Sequence, residues 1–228
     1  MTPSGDHIDG MVMLFAIVLA LMLTAVAPDR PPAILEIYRD TILPGREAQF
    51  RAIEEDAARV CAELTCPHPH LAIESLSGPK EVWWLNGFDS PAEKQQVDDA
   101  YRANRALMAA LQKATAGKAG VTGKPVNVFA HHAPGASRDR DWPIAGARFF
   151  VVTIGRSPRV ANGVAFDAPD GTRYIMKPVR TQAEADAAAA AAGPGTRVFA
   201  IRPYWGSPAP EWIAADTEFW KANPAAGR

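Results

Sequence analysis

The chain has 228 residues, with 24 basic and 25 acidic side chains and a formal net charge of −1. No basic block stands out, so a nucleic-acid partner is not expected. The balanced charge does not indicate an acidic substrate either. This length allows one large domain or two small ones.

The first element is an apolar run near the N-terminus, Met11–Ala27, whose only polar residue is Thr24. The run is at the short limit for a helix that crosses a bilayer. It ends in Ala25-Val26-Ala27, the small-x-small pattern that signal peptidases cleave. We therefore predict that residues 1–32 form a signal peptide or a membrane anchor. The protein would be exported, to a bacterial periplasm or outside the cell, and would meet the membrane only through this segment.

Two features argue against cleavage of this segment. Residues 1–10 contain no Lys or Arg and carry Asp6 and Asp9, whereas signal peptides begin with positive charge. Pro28 would directly follow the cleavage site, where its rigid ring hinders a peptidase. An uncleaved anchor and a buried core helix are therefore alternatives.

Residues 33–135 alternate between strand-like and helix-like patterns. A helix follows Pro44-Gly45, with an apolar stripe that includes Phe50 and Ile53 and a polar side that includes Glu54. A second helix starts at the capping box of Ser90 and Glu93 and fades towards Gly120. Strands are predicted at 34–39, 71–76, 82–88 and 126–131. The resulting order, β-α-β-β-α-β, is the ferredoxin-like arrangement.

The rest of the chain shows a partly matching order after a linker predicted at 136–145. Its elements are a strand at 148–154, a hairpin of 164–167 and 172–179, a helix from Thr181 to Gly193, and a strand at 197–204. Residues 146–228 therefore look like a degenerate second copy, in which a loop at 157–163 replaces the first helix. A short helix in the tail is predicted to pack Trp212 and Trp220 back onto this unit.

Three segments carry a resemblance to a known family: EIYR (36–39), the Pro44-Gly45 turn into an amphipathic helix, and LAIESLSGPKEVWWLNGFDS (71–90). The chain resembles the dimeric α/β-barrel superfamily, including its antibiotic-biosynthesis monooxygenase-like, stress-responsive and NIPSNAP-like members. The resemblance covers 33–132 and, more weakly, 146–205. It implies an α+β fold in which tandem ferredoxin-like units pair within one chain as a pseudo-dimeric α/β barrel, preceded by the N-terminal hydrophobic helix.

The resemblance also implies a cavity lined by the sheet face that points away from the helices. Strand alternation predicts which side chains face it, if Leu35 and Ile37 point towards the helices. Trp84 is preferred over its neighbour Trp83 as the inward residue. The predicted ligand-binding residues are Glu36, Tyr38, Trp84 and Asn86, and the predicted catalytic acid or base residues are Glu74 and His131. In the alternative, both glutamates are solvated and His131, beside His132 at a strand end, is simply exposed.

Two cysteines and two histidines cluster after the first helix: Cys61, Cys66, His68 and His70. Their spacing superficially suggests a metal site but matches no trusted zinc pattern. Because the chain is expected to be exported, a Cys61–Cys66 disulfide is the preferred interpretation. A pair of free thiols and a four-ligand metal site are the two alternatives, and no metal ligand is predicted.

Two functions follow from these observations. The first is an exported small-molecule-binding or cofactor-independent oxygenase-like protein, with no cofactor predicted and haem as an alternative implied by the family. The second is a non-catalytic exported module whose barrel is filled by side chains such as Trp84, Phe129 and Phe150. A monomer suffices if the two halves pair internally; otherwise a homodimer is needed.

Overall fold

The computed structural model describes residues 30–156 and 162–221. The predicted signal peptide or anchor at Met11–Ala27 lies outside these residues. Within the described residues, no helix has both the length and the apolar character needed to cross a membrane.

Eight strands and six helices make up the described chain. In order they are β1 (Ile34–Thr41), α1 (Glu47–Leu64), β2 (Leu71–Ser75), β3 (Glu81–Phe88), α2 (Pro91–Ala103), α3 (Arg105–Thr115), β4 (Val126–His132), β5 (Phe149–Gly155), β6 (Val164–Asp167), β7 (Arg173–Val179), α4 (Gln182–Ala192), β8 (Thr196–Ile201), α5 (Pro210–Ala215) and α6 (Thr217–Trp220).

Local capping sets several of these boundaries as predicted. The Ser90 hydroxyl accepts a hydrogen bond from the Glu93 backbone N–H at 3.1 Å, with Pro91 in the first turn of α2. A complete capping box of Thr181 and Glu184 starts α4. These side chains satisfy backbone N–H groups that a helix leaves unpaired at its first turn.

The single helix predicted after Ser90 is two helices, which is a correction. The backbone at Asn104 leaves helical geometry, with φ −86° and ψ 77°. Its side-chain oxygen accepts a hydrogen bond from the Leu107 N–H at 3.1 Å and caps α3. Asparagine competes for backbone hydrogen bonds in this way, so it ends one helix and begins the next.

The strands form a closed antiparallel barrel in the order β1-β3-β2-β8-β5-β7-β6-β4. Two seams join the N-terminal four strands to the C-terminal four. At one seam β2 pairs with β8, with Ile73 opposite Ile201; at the other β4 pairs with β6, with His131 opposite Asp167.

Large side chains fill the inside of the barrel. Trp83, Phe150, Phe166 and Phe199 are all fully buried there. The Trp83 and Phe199 ring centroids are 4.6 Å apart, close to the lower limit of ordinary aromatic packing. A second apolar layer lies outside the barrel, where Phe50 of α1 packs against the sheet.

The segment predicted as a linker contributes to the barrel core. Trp142 and Ile144 are only 7% and 2% exposed and belong to the inner apolar cluster. The tail packs back as predicted: Trp220 is buried, and its indole N–H donates to the carbonyl of Ala145 at 3.1 Å. Segment and tail thus hold one another against the barrel.

Candidate functional site

The predicted pocket residues lie on the opposite face of the sheet from the one expected. Leu35 and Ile37 belong to the inner cluster, whereas Tyr38 and Trp84 pack in the outer layer with Phe50. The prediction that Leu35 and Ile37 face the helices is therefore wrong. The same correction makes Trp83, not Trp84, the tryptophan inside the barrel.

The alternative function predicted three aromatic rings inside the barrel, and the structure places only one of them there. Phe150 is in the interior as predicted, while Trp84 is in the outer layer. Phe129 lies on β4 beside Lys94 of α2, whose ammonium is 4.9 Å from the ring centroid. The interior is filled, but mainly by Trp83, Phe166 and Phe199 together with Phe150.

Four predicted residues share the outer face without meeting at one point. Glu36 is opposite Asn86 in the β1–β3 ladder and accepts a hydrogen bond from Asn127 at 2.8 Å. His131 is exposed on β4, and strands β1 and β3 lie between it and Glu74 on β2. Its neighbour His132 is turned towards Phe166, with ring centroids 5.7 Å apart.

Glu74 is held as a carboxylate rather than as a proton donor. It is 7% exposed and accepts from Lys80 at 2.7 Å and from Arg202 at 2.6 Å. Burial raises its pKa, but the hydrogen bonds and charges of Lys80 and Arg202 outweigh this and lower the pKa below the usual 4.5. A carboxyl group that acts as a catalytic acid near neutral pH needs the opposite direction, a raised pKa.

An ion triad lies between α1 and the sheet, and the sequence analysis missed it. The Lys118 ammonium is 2.9 Å from Asp40 and 2.7 Å from Glu54, and both carboxylates are almost fully buried. Glu54, predicted on the solvent side of α1, is one of its buried residues. Its position four residues after Phe50 places it on the apolar stripe, which was the available signal.

A second charged cluster surrounds the indole of Trp83. Glu81 accepts from the Trp83 indole and from Arg197, both at 2.7 Å, and Arg39 stacks over the indole at 4.7 Å. Burial raises the pKa of Glu81, but hydrogen bonds from Arg197 and Trp83 lower it overall. These partners leave the carboxylate fully engaged within the protein.

The predicted Cys61–Cys66 disulfide is confirmed. The Cα atoms are 4.7 Å apart, and the chain turns back at Thr65, whose φ is 56°. His68 instead stacks on Phe88 and shares a hydrogen bond with the carbonyl of Gly87 at 2.9 Å. The four-ligand metal alternative is therefore wrong. Across 30–156 and 162–221, no group of three or more His, Cys, Asp or Glu side chains could hold a metal ion.

A cavity of about 740 Å³ opens on the outer side of the C-terminal four strands. It lies between α4, the end of β7 and the segment before β5. The lining residues are Pro143, Gly146, Ala147, Asn162, Lys177, Pro178, Val179, Arg180, Glu184, Ala187, Ala188, Ala191 and Ala192. Its volume is within the range of ordinary small-molecule sites.

The alanines of α4 explain why there is space here. In the N-terminal half, Phe50 and Ile53 of α1 fill the gap between helix and sheet. In the C-terminal half, the residues by which α4 lines the cavity are alanines, such as Ala188 and Ala191, apart from Glu184 in its first turn. The run of alanines was visible in the sequence, but it was interpreted only as a helix.

The cavity does not fit haem. None of the lining residues that the structure describes is a histidine, cysteine, tyrosine or methionine, the usual protein ligands of haem iron. The barrel interior is packed with rings such as Trp83 and Phe199 and does not fit a macrocycle either.

No protein-family model matches the chain, and no curated protein matches it. Among solved structures, a protein from Fusobacterium nucleatum proposed to be a monooxygenase has a TM-score of 0.48 at 8% identity, covering 75% of this chain and 92% of its own. A protein from Lactobacillus acidophilus, also proposed to be a monooxygenase, has a TM-score of 0.41 at 8% identity, covering 82% and 88%.

A third neighbour, proposed to be a chlorite dismutase, has a TM-score of 0.42 at 7% identity, covering 75% of this chain and 96% of its own. The closed antiparallel barrel agrees with the α/β barrel that the predicted resemblance implies. At such identities the likeness carries no argument about activity, which has to come from the cavity itself.

Proposed function

We propose that this protein binds a small, largely apolar molecule in the cavity between α4 and β7. The observation that carries the proposal is the cavity of about 740 Å³ floored by alanine side chains. Apolar walls with a few polar groups at one side are typical of ligand sites. Binding is preferred over oxygenation because the ionisable groups among the described lining residues are Lys177, Arg180 and Glu184, which form no recognised catalytic arrangement.

The surrounding scaffold is a pseudo-dimer of two ferredoxin-like units in one chain. The strand order β4-β1-β3-β2 in the first half is repeated as β8-β5-β7-β6 in the second. The second unit has no counterpart of α1 among its described elements, which include one long helix, α4. The ligand site belongs to this reduced unit, and a monomer is sufficient to form it.

We further propose that the protein is exported, as the apolar segment Met11–Ala27 suggests. The Cys61–Cys66 disulfide supports export, since disulfides persist in oxidising compartments.

A second candidate function is a non-catalytic structural module. The filled barrel interior favours it: Trp83, Phe150 and Phe199 occupy the space that would otherwise hold a ligand. The two candidates differ in one property, which is whether the α4 cavity takes up a small molecule from solution.

The test uses N-phenyl-1-naphthylamine, a neutral probe that fluoresces in apolar surroundings. We expect saturable binding to the folded protein and at least a tenfold loss of affinity in Ala191→Phe, because the added ring fills the cavity. Ala190→Phe is the matched control, since Ala190 is exposed on the same helix and is not part of the lining.

Equal probe affinity in both variants would contradict the α4 cavity as the site. No saturable binding by the unmodified protein would favour the structural module. Urea unfolding of each variant shows whether it retains the fold.

A further inference from the structure

The rim of the α4 cavity carries two cationic side chains beside its apolar floor. Lys177 lies near the end of β7. Arg180 follows three residues later, next to the first turn of α4. Glu184 is the acidic residue of the lining. The hydrogen bonds available to these three groups decide what kind of ligand the rim can attract.

The Glu184 carboxylate is already engaged by the protein. One of its oxygens accepts from the backbone N–H of Arg180 at 3.0 Å and of Thr181 at 2.8 Å. These hydrogen bonds lower the pKa of Glu184, so it stays ionised as the helix cap. The carboxylate keeps its negative charge, which the two cations Lys177 and Arg180 outnumber at the rim.

The two cations keep donors available. Among the described residues, the carboxylate within 4 Å of the Lys177 ammonium is that of Asp139, at 3.8 Å, which is longer than a hydrogen bond. Within the described parts of the chain, the Arg180 guanidinium makes no side-chain hydrogen bond or ion pair within 4 Å, although it lies near Glu184 and Asp216. The nearby Asp216 is engaged with Arg148.

We infer that the ligand of this cavity is an amphipathic organic anion. Its apolar body would lie on the alanines of α4, and its carboxylate, or a similar acid group, would accept hydrogen bonds from Lys177 and Arg180. A charge-assisted hydrogen bond is stronger than a neutral one, so the acid group would add to the affinity of the apolar body. This inference rests on the proposed function and names the ligand class for the same site.

The test compares two probes that share one fluorophore. N-phenyl-1-naphthylamine is neutral, whereas 8-anilino-1-naphthalenesulfonate carries a negative charge on nearly the same rings. We expect the anion to bind more tightly to the unmodified protein. The double variant Lys177→Gln/Arg180→Gln should lose about tenfold or more in affinity for the anion while its affinity for the neutral probe stays unchanged.

A matched control removes the same charge elsewhere. Lys113 and Arg105 are exposed on α3 and do not line the cavity, so Lys113→Gln/Arg105→Gln should leave both affinities unchanged. Added salt should weaken the binding of the anion more than that of the neutral probe.

The outcomes separate the two proposals. The anionic ligand class is overturned if the neutral probe binds in the cavity but the anion binds no more tightly. It is also overturned if the double variant changes the affinity for both probes equally. In either case the cavity remains a binding site for a neutral molecule. If neither probe responds to Ala191→Phe, the binding function itself fails.

Discussion

Buried charges in this protein connect its layers. Lys118 reaches Asp40 on β1 and Glu54 on α1 at the same time, so one ammonium joins the helix layer to the sheet. Burial raises the pKa of Glu54, and Lys118 opposes this. Burial alone would lower the pKa of Lys118, but the charges of Glu54 and Asp40 raise it overall. Glu54 and Lys118 therefore depend on each other for their charge states.

Removing Lys118 should expose this dependence. Lys118→Met is expected to lower the free energy of unfolding by about 3 kcal/mol at pH 7, because two buried carboxylates lose their shared cation. Urea unfolding followed by tryptophan fluorescence measures the change. Arg102→Met is the control, since the Arg102–Asp99 pair is exposed and such pairs contribute about 0–1 kcal/mol.

The loss in Lys118→Met should also depend on pH. Without the ammonium, the folded-state pKa of Glu54 lies still further above its unfolded value, so folding of the variant takes up a proton. Stability from such a group is present below the unfolded pKa and is lost as pH rises through the folded pKa. The difference in unfolding free energy between variant and wild type should therefore become smaller as pH falls from 7 towards about 5. A difference in unfolding free energy that grows on acidification would contradict this account.

At the scale of elements, sequence patterns predicted where the strands and helices lie better than which way they face. Capping residues such as Ser90 and Thr181 act locally, so the starts of α2 and α4 could be predicted. The face of β3 could not, because every residue from Glu81 to Leu85 is buried. In a closed barrel with helices outside, both faces of a strand are covered, and alternation no longer separates inside from outside.

The disulfide at the end of α1 provides a prediction at this scale. It closes a loop with a sequence separation of 5, so its stabilisation should fall below the ~3 kcal/mol expected for a 15-residue loop. Cys61→Ser/Cys66→Ser should lower the urea midpoint accordingly, and reductant should lower that of the wild type to match. A double variant as stable as the oxidised wild type would show that the bond contributes nothing.

Across the whole molecule, the barrel depends on chain segments that do not form strands. Trp142 and Ile144 enter its interior, and the tail fastens this segment through Trp220 and the Arg148–Asp216 ion pair. The segment also supplies Pro143, Gly146 and Ala147 to the cavity lining. Sequence patterns predicted only a linker at 136–145, because its Pro, Gly and charged residues are typical of loops. A single tryptophan, Trp142, was too weak a signal to predict burial.

Shortening Trp220 should therefore affect both stability and binding. Trp220→Ala is expected to cost about 3–5 kcal/mol of unfolding free energy, as for other buried tryptophans, and to weaken N-phenyl-1-naphthylamine binding by loosening 142–147. Trp212→Ala, at a half-buried position of the tail, should cost less. If Trp220→Ala changes neither the unfolding free energy nor the probe affinity, the tail does not stabilise the segment that lines the cavity.

The two seams of the barrel also have a consequence for synthesis. β2 pairs with β8 and β4 pairs with β6. The first four strands therefore leave the ribosome long before β6 and β8 have been synthesised. Until residues 164–167 and 196–201 emerge, β2 and β4 present open hydrogen-bonding edges, which can recruit other chains. The nascent N-terminal half is thus the form most in need of a chaperone, and a chain stalled before β8 should be the form most prone to aggregate.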